Sequence, residues 1–133
     1  MSLLFIYGCG SSVNNTTNSK MLNGKWMLTS LNDKQIVKEQ AGKEMPYLEF
    51  NLTTNNVGGS TGCNDLNGKV VVAGDDITFS GMSSTKMECS DAKYETEFIG
   101  MIFHAETMKY KIDNNTLSIT KTGKVVMTLK KAE

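Results

Sequence analysis

Arginine is missing from this chain: all fourteen basic side chains are lysine, and fourteen acidic ones bring the formal net charge to zero. Without a guanidinium fork, bidentate capture of phosphate or carboxylate has no ready donor, which weighs against a dedicated nucleotide or phosphopeptide site. The lysines are scattered along the sequence, so it carries no electrostatic footprint for nucleic acid. Histidine occurs once, at His104, and proline once, at Pro46. No cysteine pair has the CxxC spacing of a common zinc site. From residue 21 onward no stretch approaches the roughly 18 apolar residues of a membrane-spanning helix, so any membrane attachment is expected through lipid.

What remains is enough to fold. With 133 residues, 39% of them hydrophobic and 21% charged, the chain suits one domain with its own core. Its N-terminus carries a separate signal. Leu3 to Tyr7 is an apolar run that leads through Ile6, Tyr7 and Gly8 to Cys9, the pattern of a bacterial lipobox in which Cys9 is acylated. The run is shorter than a usual h-region of about 7–15 residues and has no basic n-region, so the chain is expected to open inside a truncated signal behind an added Met-Ser. The alternative is a β-strand at Leu3 to Tyr7 with Cys9 as a buried thiol. Gly10 to Lys20, rich in Ser, Asn and Thr, has the composition of a flexible tether. Residues 1–20 are therefore read as signal remnant and tether, and 21–133 as the folded domain. In a bacterial envelope the sequons at Asn15, Asn51 and Asn114 are chance.

Beyond the tether the pattern is mostly strand. Gly24 to Leu31 is a first strand, and Leu48, Phe50 and Leu52 alternate with polar neighbours after Pro46. Val57 to Gly68, VGGSTGCNDLNG, predicts a sharp turn, with Asn67-Gly68 as a two-residue hairpin signal before Lys69 to Ala73. Ile77 to Ser80 alternates again, and Gly81 to Glu88 reads as irregular. One helix is predicted over about 90–106, with Ser90 as N-cap and Tyr94, Phe98, Met101, Ile102 and Ala105 on its buried face. Tyr110 to Leu129 then reads as a three-strand meander with turns at Asn114-Asn115 and Gly123.

These residues carry a family resemblance over nearly all of Met21 to Lys130. Gly24-Lys25-Trp26, Leu48, Phe50, Gly59 and Gly62-Cys63-Asn64 come in order, then Phe79, Ser84-Thr85, Met87, Cys89, Glu95, Phe98, Tyr110, Ile112 and Leu117. The sequence resembles the META domain family, that of the HslJ-like heat-shock proteins. Lys86 stands where that family usually shows arginine. The resemblance implies a mainly β (α+β) fold, a curved antiparallel sheet or partly closed β-barrel with one packed helix. It also implies a bacterial envelope protein, often a lipoprotein, linked to stress response and antibiotic tolerance and without an established catalytic mechanism.

The remaining cysteines, Cys63 and Cys89, are expected to pair with each other, and two other readings stand beside that one. In an exported protein they suggest a disulfide, which would stabilise by roughly 3.5 kcal/mol in the chain-entropy model. Two buried, unbonded thiols are the second reading, and a zinc site completed by His104 is the third. Ser60, Thr61, Ser84 and Thr85 lie in loops, but nothing in their spacing asks His104 to serve them as a base. Asp75-Asp76 and Asn64-Asp65 lack the surrounding ligands of a calcium loop, and turn chemistry explains them. Met82, Met87, Met101 and Met108 suit either an adaptable surface or core filling. The expectation is a non-enzymatic module without cofactor or metal, a monomer anchored in the envelope by Cys9, with outer-membrane sorting permitted by Gly10. Gly62, Asn64, Ser84, Thr85 and Lys86 form the expected interaction loop for an unknown envelope partner. A small-ligand carrier with an apolar pocket at a barrel mouth is the alternative, and an inhibitor of an envelope enzyme presented on a disulfide-stapled loop is a third reading.

Overall fold

A computed structural model describes residues 19–132. Nine strands follow in chain order: β1 (Gly24–Leu31), β2 (Lys34–Gln35), β3 (Tyr47–Asn51), β4 (Asn56–Ser60), β5 (Asp65–Ala73), β6 (Asp76–Ser84), β7 (Thr107–Asp113), β8 (Thr116–Lys121) and β9 (Lys124–Lys131). The helix α1 (Glu95–Ile102) lies between β6 and β7, and a single 3-10 turn occupies Lys38–Gln40. All pairings are antiparallel, in the order β2-β1-β3-β4-β5-β6-β7-β8-β9, and β1 also pairs with β9. The sheet thus closes into a ring without becoming a regular barrel, and β2 is a two-residue spur outside it.

Alternation decides which side chains face inward. Trp26 and Leu28 on β1, Leu48 and Phe50 on β3, Ile77 and Phe79 on β6, and Leu117 and Ile119 on β8 are all buried, and the residues between them are more exposed. Phe98 and Ile102 of α1 join the same core. The indole of Trp26 buries its N–H without cost because it donates to the Leu22 carbonyl at 2.8 Å. Register shifts between Leu28 and Ser30, Asn67 and Lys69, and Ile119 and Thr120 supply the local bends that curve a sheet toward closure.

Three local expectations are corrected. Asn67-Gly68 is not a hairpin turn. It lies inside β5, and the chain reverses earlier, at residues 61–64. Gly68 instead permits close approach of β5 and β6 at the bulge, because a Cβ there would collide with the Met82 sulfur and crowd its Cα. Likewise residues 57–59 belong to β4, and β6 continues to Ser84 through residues expected to be irregular.

The helix is shorter than the predicted 90–106. Its N-cap is Tyr94, with no side-chain capping bond, so Ser90 and Asp91 precede it. Tertiary contacts already occupy that stretch: Ala92 bridges Ala41, and the Lys93 N–H donates to the Gln40 carbonyl at 2.8 Å. At the other end Ala105 takes φ 55°, outside the helix and exposed, and β7 begins two residues later. The meander of β7, β8 and β9 has its turns at Asn114 and Gly123, as the pattern predicts. Met108 is buried, Met82 and Met101 pack half-buried on the core, and Met87 alone of the four is 49% exposed.

One seam in the ring is short. β6 meets β7 over only three rungs, Asp76 to Thr78 against Lys109 to Thr107, and α1 packs against β6 nearby. Asp75 and Asp76, the acidic pair at this turn, hold the Lys109 ammonium group, with Asp76 at 2.6 Å. Their hydrogen bonds, that of Asp76 foremost, raise the Lys109 pKa above its ordinary value. No helix among the described residues is long and apolar enough to cross a membrane.

Candidate functional site

The glycine-cysteine segment, the stretch after β6 and the start of α1 converge on one side chain, Asn64. Its residue is only 4% exposed, and every hydrogen-bonding position of its carboxamide is used. The carbonyl Oδ1 accepts from the Met87 N–H at 2.6 Å and the Thr85 hydroxyl at 2.9 Å. The Nδ2 group donates to the Met87 carbonyl at 3.0 Å and to a Glu95 carboxylate oxygen at 2.5 Å. Asn64 therefore pairs with both main-chain groups of Met87, as a peptide on a neighbouring strand would. Just before it, the Thr85 N–H donates to the Asp65 carbonyl at 3.2 Å, continuing the β5–β6 ladder.

Thr61 builds the turn that holds Asn64. Its hydroxyl accepts from the Cys63 and Asn64 amides, at 3.2 and 2.8 Å, and donates to Glu95 at 2.6 Å. The Thr61 N–H in turn donates to the Asn64 carbonyl at 2.8 Å, while the Ser60 hydroxyl accepts from the Gly62 amide. Gly62 has φ +98°, and a Cβ there would overlap the Ala41 carbonyl oxygen, so only glycine fits. The same close approach lets the Lys43 N–H donate to the Gly62 carbonyl at 2.7 Å.

Cys63 and Cys89 form a disulfide, with Cα atoms 6.0 Å apart. It joins the turn at 61–64 to the end of the segment 85–89, which has no helix, turn or strand of its own. Bonded to each other, these sulfurs offer no thiolate to zinc, and His104 is exposed just beyond α1. Among the described residues no group of three or more His, Cys, Asp or Glu could hold a metal ion.

The helix is fixed from two sides. Glu95 faces the Asn64 knot, while Glu97 accepts from Asn32 at 2.5 Å, in the turn after β1, and from Lys34 at 2.6 Å, at the start of β2. The hydrogen bond from Lys34, then that from Asn32, holds the Glu97 carboxyl below its ordinary pKa. At the N-cap the Tyr94 hydroxyl accepts from the Val37 amide at 3.0 Å and faces the Gln35 carbonyl and the Gln40 side chain, each at 3.3 Å. Both carboxylates also sit in the first turn, where they oppose the positive end of the helix dipole.

The expected interaction loop is brought together but divided. Gly62 and Asn64 are buried, Ser84 is half-buried at the end of β6, and Thr85 and Lys86 are exposed. Asn64 therefore acts from beneath, holding the segment whose surface Thr85 and Lys86 form, while Gly62 packs against Ala41 and Lys43. Cys9 lies outside the described residues. Sequence reasoning missed Thr61 and Tyr94 as anchors. For Thr61 a signal existed, a hydroxyl residue opening a Gly-containing turn and followed three positions later by Asn. For Tyr94 none did, because an aromatic at helical spacing reads as core.

A family model described as META domain matches residues 19–133. No curated protein matches the chain. Among solved structures, the NMR structure of one protein is similar with a TM-score of 0.64 at 20% identity, covering 84% of this chain and 92% of that one. The NMR structure of a protein from Burkholderia xenovorans has a TM-score of 0.64 at 15% identity, covering 86% of each chain. Likeness at these identities shows the fold alone.

Proposed function

The chain belongs to the META domain family, and we propose that it is a non-enzymatic binding module of the bacterial envelope, lipid-anchored through Cys9 and supporting stress or antibiotic tolerance. The observation that carries this reading is the use made of the polar residues around Asn64. Thr61, Asn64, Thr85 and Glu95 are hydrogen-bonded to one another and to Met87, so none is left poised as a nucleophile or base. Their joint product is a fixed, exposed segment at residues 85–88. A surface whose main chain is already ordered binds with less loss of conformational entropy.

The carrier reading needs an enclosed apolar cavity. Trp26, Phe79, Phe98 and Met127 fill the ring interior. A hollow of about 790 Å³ lies instead against Glu49, Asn51, Asn56, Asn67 and Lys69, whose polar side chains suit water better than an apolar cargo. The packed interior thus favours the binding module.

Complementation tests the proposal. In a strain lacking the gene, wild-type protein should restore survival under heat and cell-wall antibiotics. A triple variant, Lys86→Ala, Met87→Ala and Glu88→Ala, should keep its thermal midpoint and membrane fractionation yet fail to restore survival. Full rescue by the triple variant would overturn the assignment of this surface. A Cys9→Ser variant should leave the membrane fraction, and its retention there would remove the lipid anchor from the proposal.

A further inference from the structure

The segment after β6 has an inner and an outer edge. In an extended chain successive residues turn their N–H and C=O groups to opposite sides. Thr85 and Met87 both turn inward, to Asp65 and Asn64. Lys86 and Glu88 therefore present their main-chain groups outward. Among the described residues neither has a hydrogen-bond partner, and neither side chain has an ion pair. β7 has already parted from β6 at Thr78, so no strand among the described residues covers this edge.

Lys86 is consequently an exposed cation on a main chain that is immobilised on both sides. Thr85 before it is held by Asp65 and Asn64, Met87 after it by the Asn64 carboxamide, and Cys89 by its bond to Cys63. We propose that the segment 85–88 is a substrate-like inhibitory loop that enters the cleft of a trypsin-like serine peptidase, with Lys86 in the specificity pocket. This rests on the reading of the domain as a binding module and names its partner class. The chemistry is complementary in two respects. Such a peptidase has an acidic group at the base of its pocket, which suits a lysine ammonium ion. It also pairs by main chain with an extended segment, which the free outer edge allows.

The same fixation distinguishes an inhibitor from a substrate. If the active-site serine attacks the Lys86 carbonyl, the Lys86–Met87 amide breaks, a Lys86 acyl ester forms and the proton passes to the Met87 amine. That amine remains tied to Asn64 and, through Cys89, to Cys63. It stays beside the ester and re-forms the amide, releasing the serine, instead of diffusing away.

Titration of trypsin with the disulfide-intact chain, using a small chromogenic substrate, tests the proposal. Competitive inhibition is expected, retained by Lys86→Arg and weakened on the order of 30-fold or more by Lys86→Ala, as for a central anchor residue. Lys86→Phe should transfer inhibition from trypsin to chymotrypsin, whose pocket is apolar. Rapid cleavage after Lys86 without inhibition, no inhibition at all, or equal inhibition by Lys86→Ala would each overturn it. Stress rescue that depends on the segment 86–88 alongside absent trypsin inhibition would retain the binding module and reject this partner.

Discussion

Asn64 shows how much one buried amide can organise. Replacing it by alanine would leave the Met87 N–H and C=O, the Thr85 hydroxyl and one side of Glu95 without their protein partners. Because Met87 is exposed, water can recover part of that loss, so Asn64→Ala should lower unfolding free energy by about 2–4 kcal/mol, measured by urea denaturation with the disulfide intact. Tyr110 is the opposite case. Its residue is 5% exposed, and its hydroxyl has no hydrogen-bond partner among the described residues. Tyr110→Phe should therefore stabilise the protein by about 1 kcal/mol, read as a higher urea midpoint. Burial first, and the Asp75 carboxylate second, raise the Tyr110 pKa above 10.0. The folded state then keeps this proton while the unfolded state loses it, so stability falls as pH rises from about 10 toward the folded pKa. The phenylalanine variant should show a shallower alkaline loss.

At the scale of elements, α1 shows why a good pattern predicted the wrong ends. Phe98 and Ile102 gave the helical period and are buried as read, but Ser90 and Asp91 were assigned from local capping preference. The disulfide, the Ala41–Ala92 bridge and the Lys93–Gln40 bond hold that stretch in another shape. Once begun, the helix is docked by Glu97 to Asn32 and Lys34. With its pKa lowered, Glu97 contributes stability that is present above the unfolded value near 4.5 and is lost as pH falls through the folded one. Lys34 is largely exposed, so screening limits the effect: Glu97→Gln should cost up to about 1 kcal/mol at neutral pH and nothing at pH values below both pKas. Thermal melts across the acid range would check both limbs, and an undiminished difference in acid would refute the assignment. In β5 the Asn67-Gly68 pair looked like a turn because the same residues serve turns and bulges, and only the register with β6 distinguishes them.

Across the whole molecule the decisive step is ring closure. β1 pairs with β3 along one edge and with β9 along the other, so the first and last strands of the domain lie side by side. Alternating apolar positions made the individual strands legible, and the late meander most clearly, because its neighbours in sequence are also neighbours in space. The β1–β9 contact had no comparable signal, since it joins residues about as far apart as the domain allows. The site was legible to a similar extent. Its residues could be named from the motif, and the pairing of Cys63 with Cys89 could be expected, but the roles of Asn64 and Gly62 could not. Asn64 and Gly62 looked like parts of an outward-facing loop and prove to be buried.

The sequence by itself determined the β-rich class, the inward-facing residues of most strands and the family. The class and the facing follow from periodicity, composition and short-range turn chemistry, and the family from the order of its motif residues, all of which are legible along the chain. Only the tertiary structure decided where the helix begins, that Cys63 and Cys89 are joined, and that Asn64 binds the main chain of Met87. Each depends on groups from separate parts of the chain reaching hydrogen-bonding or covalent distance, and spacing along the sequence does not fix those distances.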